Sequence, residues 1–299
     1  MAIPTALVGM SVDPLEHRVD ERWTMAYAAS LDDHRPEYLD TTRPEGIVAH
    51  PMFTVCPEWP VIVSSRTLSE ELGIPREEVL TSVHATHDVH LHRLIRPGDV
   101  LTTSLEMVGL VSKRPGAMST TRLRTVDADG RPVTTTTQSG IYLGVPVEGD
   151  DIADPDEPTP IAGAERTGEP LVESVALPAG AAHTYTECAR IWNPIHTDKA
   201  VALAAGLPDI ILHGTANLAY GVSAVVERCA GGRPELVRRI ACRFAAMVLL
   251  PSTLTIRIWP ANDTGDGRRT VPFEVLNAAG DPAVKDGLLV LGEAEGNGS

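Results

Sequence analysis

The chain has 299 residues, about twice the usual size of one domain, so two domains or one duplicated domain is expected. Apolar residues make up 43% and charged residues 22%, as in a globular protein with a full core. The net charge of −15 argues against non-specific binding to nucleic acid and against attachment to an anionic membrane surface.

The cysteines and the N-terminal residues bear on the cellular compartment. Cys56, Cys188, Cys229 and Cys242 are scattered without C-x-x-C spacing, which is typical of reduced, mostly buried cysteines. The first residues contain no basic segment followed by a long apolar run, and no stretch of about 20 apolar residues occurs. We therefore expect a cytoplasmic protein without signal peptide or membrane span.

Two helices are predicted in the first part of the chain. Asp20 can cap a helix on which Trp23, Tyr27 and Leu31 share one face. A longer helix is predicted from about Pro60 to Leu72. Because Pro57 and Pro60 disfavour a regular helix through that point, Pro60 is expected in its first turn.

From Thr81 the hydrophobic period changes to two, which predicts strands over residues 81–92, 100–111, 117–126 and 132–145. On the first of these, alternation puts His84, His90 and His92 on one face and His87 on the other. Clustered histidines can bind a metal, but no cysteine or carboxylate stands at ligand spacing. A solvated sheet face without metal is therefore favoured.

The second half of the chain repeats the first. The sequence around His50-Pro51 is answered by His213-Gly214, residues 96–101 by 250–254, and residues 127–132 by 277–282. This predicts an α+β fold in which a strongly curved antiparallel sheet around a central helix is made twice. The predicted division is residues 1–147, an acidic Pro/Gly-rich linker over 148–170, and residues 171–299.

One segment of the second half concentrates chemistry. His196 follows a rigid Asn193-Pro194 turn, and Asp198 can cap an Ala-rich helix after it. A helix is then predicted from Gly214 to Cys229, and its first amide N–H groups have no partner within the helix. A proton-transfer group facing a helix N-terminus suits a reaction that passes through an enolate.

This segment resembles the motif of the MaoC-like, or hydratase-2, branch of hot-dog-fold proteins, G-D-x-N-P-L-H-x-D followed by A-G-F-x-x-P-I-x-H-G. The resemblance implies a double hot-dog that hydrates 2-enoyl thioesters, or dehydrates 3-hydroxyacyl thioesters, of coenzyme A or an acyl carrier protein. It implies no metal or redox cofactor and allows a homodimer. By position, His196 is the acid/base, Asn193 its neighbour in the turn, and Gly214 the residue whose N–H meets the thioester oxygen.

The match departs from the family at one catalytic position, because Ile191 stands where the family has an aspartate. A branched alkyl side chain can neither hold water nor move a proton. In the first half the equivalent position is Asp33, but there Tyr38 replaces the histidine, and we expect the two half-sites to lie well apart. Glu187 or water could substitute for the missing carboxylate.

Each candidate residue also has a structural interpretation. His196 could be a structural turn residue. His213 could be only a helix-entry residue bonded to backbone, and Gly214 could be required by close packing alone. Trp192 is interpreted as pocket wall or core.

Ile191 favours two alternatives to hydration. One is a non-catalytic acyl-binding subunit, and the other is a different reaction, such as cyclisation or isomerisation, in a biosynthetic pathway.

Overall fold

The computed structural model describes residues 2–75, 82–159, 161 and 164–292. Within them the same arrangement of elements occurs twice. In each half a short helix and an irregular turn precede a long central helix, and five antiparallel strands flank or follow it. The predicted α+β class is confirmed, but the two predicted sheets are joined edge to edge.

The first half contains strands β1–β7 and helices α1–α3. Helix α1 begins one residue after Asp20, whose side chain accepts the N–H of Trp23 at 2.7 Å, as the sequence predicts. The bounds are β1 Ile3–Pro4, β2 Ser11–Arg18, α1 Glu21–Ser30, α2 Pro36–Leu39, α3 Val55–Glu71, β3 Ser82–Leu91, β4 Val100–Lys113, β5 Gly116–Val126, β6 Pro132–Leu143 and β7 Val147–Glu148.

The second half contains strands β8–β13 and helices α4–α6. Its long helix α6 has the predicted bounds, and Asp198 accepts the N–H of Ala200 at the start of α5, as predicted. The bounds are β8 Leu171–Leu177, α4 Ala181–Ala189, α5 Lys199–Ala204, α6 Gly214–Cys229, β9 Val237–Phe244, β10 Ser252–Ile258, β11 Asn262–Asp263, β12 Arg269–Leu276 and β13 Pro282–Leu291.

The two halves form one continuous antiparallel sheet. Its strand order is β2-β4-β5-β6-β3-β9-β13-β12-β10-β8, so each half contributes five neighbouring strands and β3 pairs with β9 at the seam. Across this seam Asp88 forms an ion pair with Arg239 at 2.6 Å. Helices α1 and α4 also meet, where the hydroxyl groups of Tyr27 and Tyr185 lie 3.2 Å apart.

The start of α3 differs from the prediction. The helix begins at Val55, so Pro57 rather than Pro60 occupies its first turn and Pro60 lies inside the helix. An internal proline removes one backbone hydrogen bond and costs about 3 kcal/mol in an isolated helix. Here the first turns of α3 are buried, and that tertiary packing offsets the cost.

The faces of the histidines on β3 also differ from the prediction. Thr81, where the predicted strand begins, lies outside the described residues. The β3–β6 register shifts between His84 and Thr86, which marks a β-bulge that breaks the alternation. His84 therefore lies on the same side as His87, with their ring centroids 5.5 Å apart, and the prediction that His84 belongs to a solvated face is wrong.

Candidate active site

A tight turn after α4 positions His196. Arg190 ends α4 in the left-handed conformation with φ 60°, and the chain then passes through Asn193 and Pro194 into a single 3-10 turn. The backbone N–H of His196 donates to the carbonyl of Asn193 at 3.1 Å. Asn193 thus holds the turn through its backbone, and the imidazole of His196 is left only 8% exposed.

The hydrogen bonding of His196 fixes its tautomer. Its Nδ1 lies 2.8 Å from the carbonyl oxygen of Ile211. Because a carbonyl can only accept, Nδ1 carries the proton and Nε2 keeps its lone pair. Burial lowers the pKa of His196 to about 4, although the bond to Ile211 partly opposes that shift. His196 is therefore a neutral base at physiological pH.

His213 stacks on His196. Their ring centroids are 3.6 Å apart with an interplanar angle of 26°. The Nε2 of His213 lies 3.2 Å from the hydroxyl of Thr186 and 3.4 Å from the carbonyl of Ile191, which confirms the backbone bond of a helix-entry residue. Its Nδ1 is buried and has no hydrogen-bond partner among the described residues. Burial, followed by the neighbouring His196, lowers the pKa of His213 well below its ordinary value.

Helix α6 starts beside this pair of rings. The side chain of His213 makes no capping hydrogen bond to the helix, so no cap occupies the first-turn amides, which carry the positive end of the helix dipole. Gly214 packs closely against the sheet, because a Cβ there would lie 3.2 Å from Cδ1 of Phe244 and the ring would have to shift by a few tenths of an ångström. The predicted close contact of helix and sheet is confirmed in this form.

The position of the missing carboxylate is filled by apolar side chain. Ile191 is 5% exposed, and its contact with His213 is made by its carbonyl. Glu187 is exposed and accepts a weak hydrogen bond from the indole of Trp192 at 3.4 Å, so it is turned to the surface. Trp192 itself is 60% exposed, and its interpretation as a core residue is wrong.

The equivalent half-site in the first half is closed. Asp33 and Arg35 form a buried ion pair, and Arg35 also donates to the carbonyl of Ser223 at 2.8 Å. Ser223 lies nine residues beyond Gly214 on α6, which corresponds to roughly 13 Å along the helix axis. Asp33 is therefore held away from His196, as expected.

In the first half-site the histidine is hydrogen-bonded, whereas the tyrosine hydroxyl is not. Tyr38, at the position of His196, has its ring 5.5 Å from His50, and its buried hydroxyl has no hydrogen-bond partner among the described residues. The Nδ1 of His50 accepts the N–H of Met52 at 3.0 Å, and its Nε2 bonds to the hydroxyl of Ser223. Pro51 stands at the position of Gly214 and has no N–H to donate.

Two site residues were not found from the sequence. Phe244, at the end of β9, lies over Gly214 and also packs against His84 with ring centroids 4.7 Å apart. Strand alternation placed His84 on the outside, and only the bulge near Thr86 turns it inward. A bulge in an otherwise regular strand leaves no strong local sequence signal, so this wall of the site required the structure.

Among the described residues, no three His, Cys, Asp or Glu side chains come together in a way that could hold a metal ion. No described helix is both long and apolar enough to cross a membrane.

Comparison with known families assigns both halves. A profile described as "MaoC like domain" matches residues 169–280, and one described as "FAS1-like, dehydratase domain region" matches residues 6–136. The two matches show a MaoC-like domain in the second half of the chain and a FAS1-like dehydratase region in the first. The match over residues 169–280 covers the half that carries the complete Asn-Pro-Ile-His turn, and the match over residues 6–136 covers the half whose site is closed.

Relatives of this MaoC-like protein include named hydratases. It is 26% identical over 221 residues, 71% of the chain, to peroxisomal multifunctional enzyme type 2 of Drosophila melanogaster, of which it covers 35%. It is 32% identical over 99 residues, 33% of the chain, to enoyl-CoA hydratase ChsH3 of Mycobacterium tuberculosis, of which it covers 33%. The chain thus spans about a third of the length of these curated relatives.

Solved structures share the whole fold. A MaoC-like dehydratase from Phytophthora capsici superimposes with a TM-score of 0.81 at 19% identity, covering 98% of both chains. A Mycobacterium tuberculosis protein described as having a double hot-dog fold gives a TM-score of 0.65 at 17% identity, covering 95% of this chain and 96% of the other. The two repeats therefore form a double hot-dog.

Proposed function

We propose that this MaoC-like protein hydrates 2-enoyl thioesters, or dehydrates 3-hydroxyacyl thioesters, of coenzyme A or an acyl carrier protein. One observation carries the proposal: the free Nε2 of His196 stands beside the uncapped start of α6, stacked on His213. A base and a set of amide donors at one place are the two elements that addition to an enoyl thioester needs.

In the hydration direction His196 takes a proton from water through Nε2 while the water oxygen bonds to C3. The thioester carbonyl becomes an enolate oxygen, which amides at the start of α6, from Gly214 onward, would stabilise. The imidazolium then returns the proton to C2. Because burial makes His196 a weak base with a pKa of about 4, its protonated form is a strong acid that delivers this proton readily.

The absence of the aspartate shapes the mechanism. With Ile191 at that position, His196 must perform both proton transfers, and no carboxylate orients the water. His213 supports this role, because its stacked ring holds His196 in place and its Nε2 is tied to Thr186 and Ile191. A positioned acid or base contributes roughly 10²–10⁴-fold in rate, so the site is expected to be slower than a complete dyad.

The same residue, Ile191, favours the second candidate. A site with one base and an oxyanion position can shift a proton between C2 and C4 of an enoyl thioester, or hold an acyl group without reaction, and neither needs an oriented water. The second candidate is therefore isomerisation or cyclisation of a related thioester, or service as a non-catalytic acyl-binding subunit.

The test uses crotonyl-CoA and a longer 2-enoyl-CoA, and follows the loss of the enoyl-thioester absorbance with wild type, His196→Ala and Ile191→Asp. Hydration by wild type that His196→Ala abolishes supports the proposal. No hydration by wild type, together with a large gain in Ile191→Asp, identifies a degraded hydratase site and favours the second candidate. If neither wild type nor Ile191→Asp lowers the enoyl-thioester absorbance faster than His196→Ala does, the proposal is contradicted.

A further inference from the structure

His87, on the inner side of β3, is a buried polar residue that the proposed chemistry does not use. It is 1% exposed, and neither of its ring nitrogens has a hydrogen-bond partner among the described residues. Buried polar side chains are nearly always hydrogen-bonded. His87 therefore marks a place where the bonding partner is supplied from outside the chain.

Some other buried polar groups in the first half find partners within it. The hydroxyls of Thr103 and Thr125 lie 2.9 Å apart, and the hydroxyl of Thr136 bonds to the Glu58 carboxyl. Burial raises the pKa of Glu58 to about 8, so this carboxyl is protonated and can share a proton with Thr136. Other buried side chains also have one unpaired polar atom, but among the described residues His87 is the one whose two ring nitrogens both lack a partner.

Ring contacts connect His87 to the active site. Its ring lies 5.5 Å from that of His84, and the His84 ring lies 4.7 Å from that of Phe244, which covers Gly214. The Nε2 of His84 is bonded to the Thr86 carbonyl at 3.0 Å, so His84 is fixed with its Nδ1 as the remaining acceptor. His84 and His87 therefore continue the wall of the site beyond the aromatic ring of Phe244.

We propose that His87 and His84 form a polar subsite that binds an oxygen substituent on the acyl chain. The inference rests on the proposed acyl-thioester site and names its substrate class: oxygenated rather than plain alkyl thioesters. A neutral imidazole offers one donor and one acceptor. A hydroxyl or carboxylate oxygen can satisfy these groups, whereas a methylene chain leaves His87 unpaired.

The test measures binding by titration calorimetry, so that it does not depend on turnover. The ligands are hexanoyl-CoA, 5-hydroxyhexanoyl-CoA and adipyl-CoA, which share a six-carbon chain and carry no oxygen, a hydroxyl or a terminal carboxylate. Wild type is expected to bind one of the oxygenated ligands about tenfold more tightly than hexanoyl-CoA, since pairing one buried polar group is worth about that factor. A hydroxyl preference and a carboxylate preference each support the proposal and identify which oxygen is recognised.

Two variants attribute the preference to His87. In His87→Phe the preference is expected to fall to about one, while hexanoyl-CoA binds as before and the melting temperature stays equal or rises, because an unpaired polar group has been removed. His87→Leu repeats the measurement with a smaller side chain. His92→Phe, at an exposed histidine just past the end of β3, is the matched control and keeps the preference.

Equal binding of all three ligands, no binding of any of them, or a preference that survives in both His87 variants would overturn the proposal. The outcome is separable from that of the hydration assay. If the protein prefers the oxygenated ligand but does not hydrate enoyl-CoA, only the proposed reaction is contradicted. If it hydrates enoyl-CoA without such a preference, only the proposed subsite is contradicted.

Discussion

In the second half of the molecule His196 stacks on His213 at 3.6 Å, and the start of α6 beside them is uncapped. In the first half Tyr38 lies 5.5 Å from His50, whose Nδ1 accepts the N–H of Met52. The histidine at the helix entry is therefore bonded on both ring nitrogens in the first half and on one in the second, while the buried hydroxyl of Tyr38 has no partner among the described residues. In the duplicated fold the first half-site is closed by the ion pair of Asp33 with Arg35, whereas the second half-site keeps the histidine turn.

The unpaired ring nitrogen of the second half lowers the stability of the folded protein. The unpaired Nδ1 of His213 is a buried acceptor whose desolvation costs on the order of 1–3 kcal/mol. His50, at the matching position, has hydrogen bonds on both ring nitrogens. An unsatisfied group that persists in one half and is repaired in the other is the pattern expected where a ligand completes the bonding.

Removing the base of each half-site gives the largest contrast. His196→Ala is expected to lower kcat/KM for enoyl-CoA hydration by roughly 10²–10⁴-fold, because it removes the proton-transfer group. Tyr38→Phe removes the hydroxyl at the equivalent position and is expected to leave kcat/KM within about twofold, as for changes remote from the chemistry. Steady-state rates on one substrate check both, and equal losses in the two variants contradict the comparison.

Breaking the ion pair that closes the first half-site is expected to affect stability rather than rate. Arg35→Met leaves the Asp33 carboxylate buried at 6% exposure without its partner, which typically costs about 3–5 kcal/mol. Urea unfolding measures the loss, and the double variant Arg35→Met/Asp33→Asn is the control that should recover part of it. A kcat unchanged in folded Arg35→Met separates this site from the reactive one, and a collapse of kcat would argue that the first half-site takes part.

Acid should destabilise both halves through their buried histidines. Burial lowers the pKa of His50, His84 and His196 to about 4, below the ordinary 6.5. Between these values the unfolded chain binds more protons, so stability is full above 6.5 and falls as the pH drops toward 4. Each histidine contributes about 2 kcal/mol of that loss by pH 5.

The measurement is the urea midpoint at pH 7 and pH 5. Glu58, whose pKa burial raises to about 8, works in the opposite sense, because its folded form holds a proton that the unfolded form releases. Glu58→Gln removes this opposing effect and should steepen the decline. A midpoint that does not move between the two pH values would contradict the assignment of neutral, buried histidines.

The smallest expected effect is at the helix start. Gly214→Ala places a Cβ 3.2 Å from Phe244, so the ring must shift, at a cost of about 1–3 kcal/mol in stability. We expect roughly a tenfold loss of kcat/KM, since the amides keep their hydrogens but lose their alignment. Adding Phe244→Leu should restore part of both, whereas Pro51→Ala at the matching position should leave kcat unchanged. Failure of Phe244→Leu to restore any stability would rule out the steric cause.

Much of the site frame is local and could be predicted. The Asn193-Pro194 turn and the bounds of α6 follow from turn chemistry and helix signals that neighbouring residues carry. The hairpin over 127–131 and its repeat over 277–281 make the same backbone bond between first and last residue. The proline-interrupted start of α3 was misplaced because its burial, rather than its propensity, decides the helix.

By itself the sequence determined the duplication, the α+β class and the position of the one retained histidine motif, because periodicity and turn residues act over short stretches of chain. The double hot-dog class followed from the resemblance of that motif to the MaoC-like one. Only the tertiary structure decided which polar groups of the two half-sites have hydrogen-bond or ion-pair partners within the chain. The pairing of Arg35 with α6, the capping of Met52 by His50 and the inward turn of His84 depend on contacts between distant segments or on sheet register. Those contacts separate a closed half-site from an open one, and no local pattern encodes them.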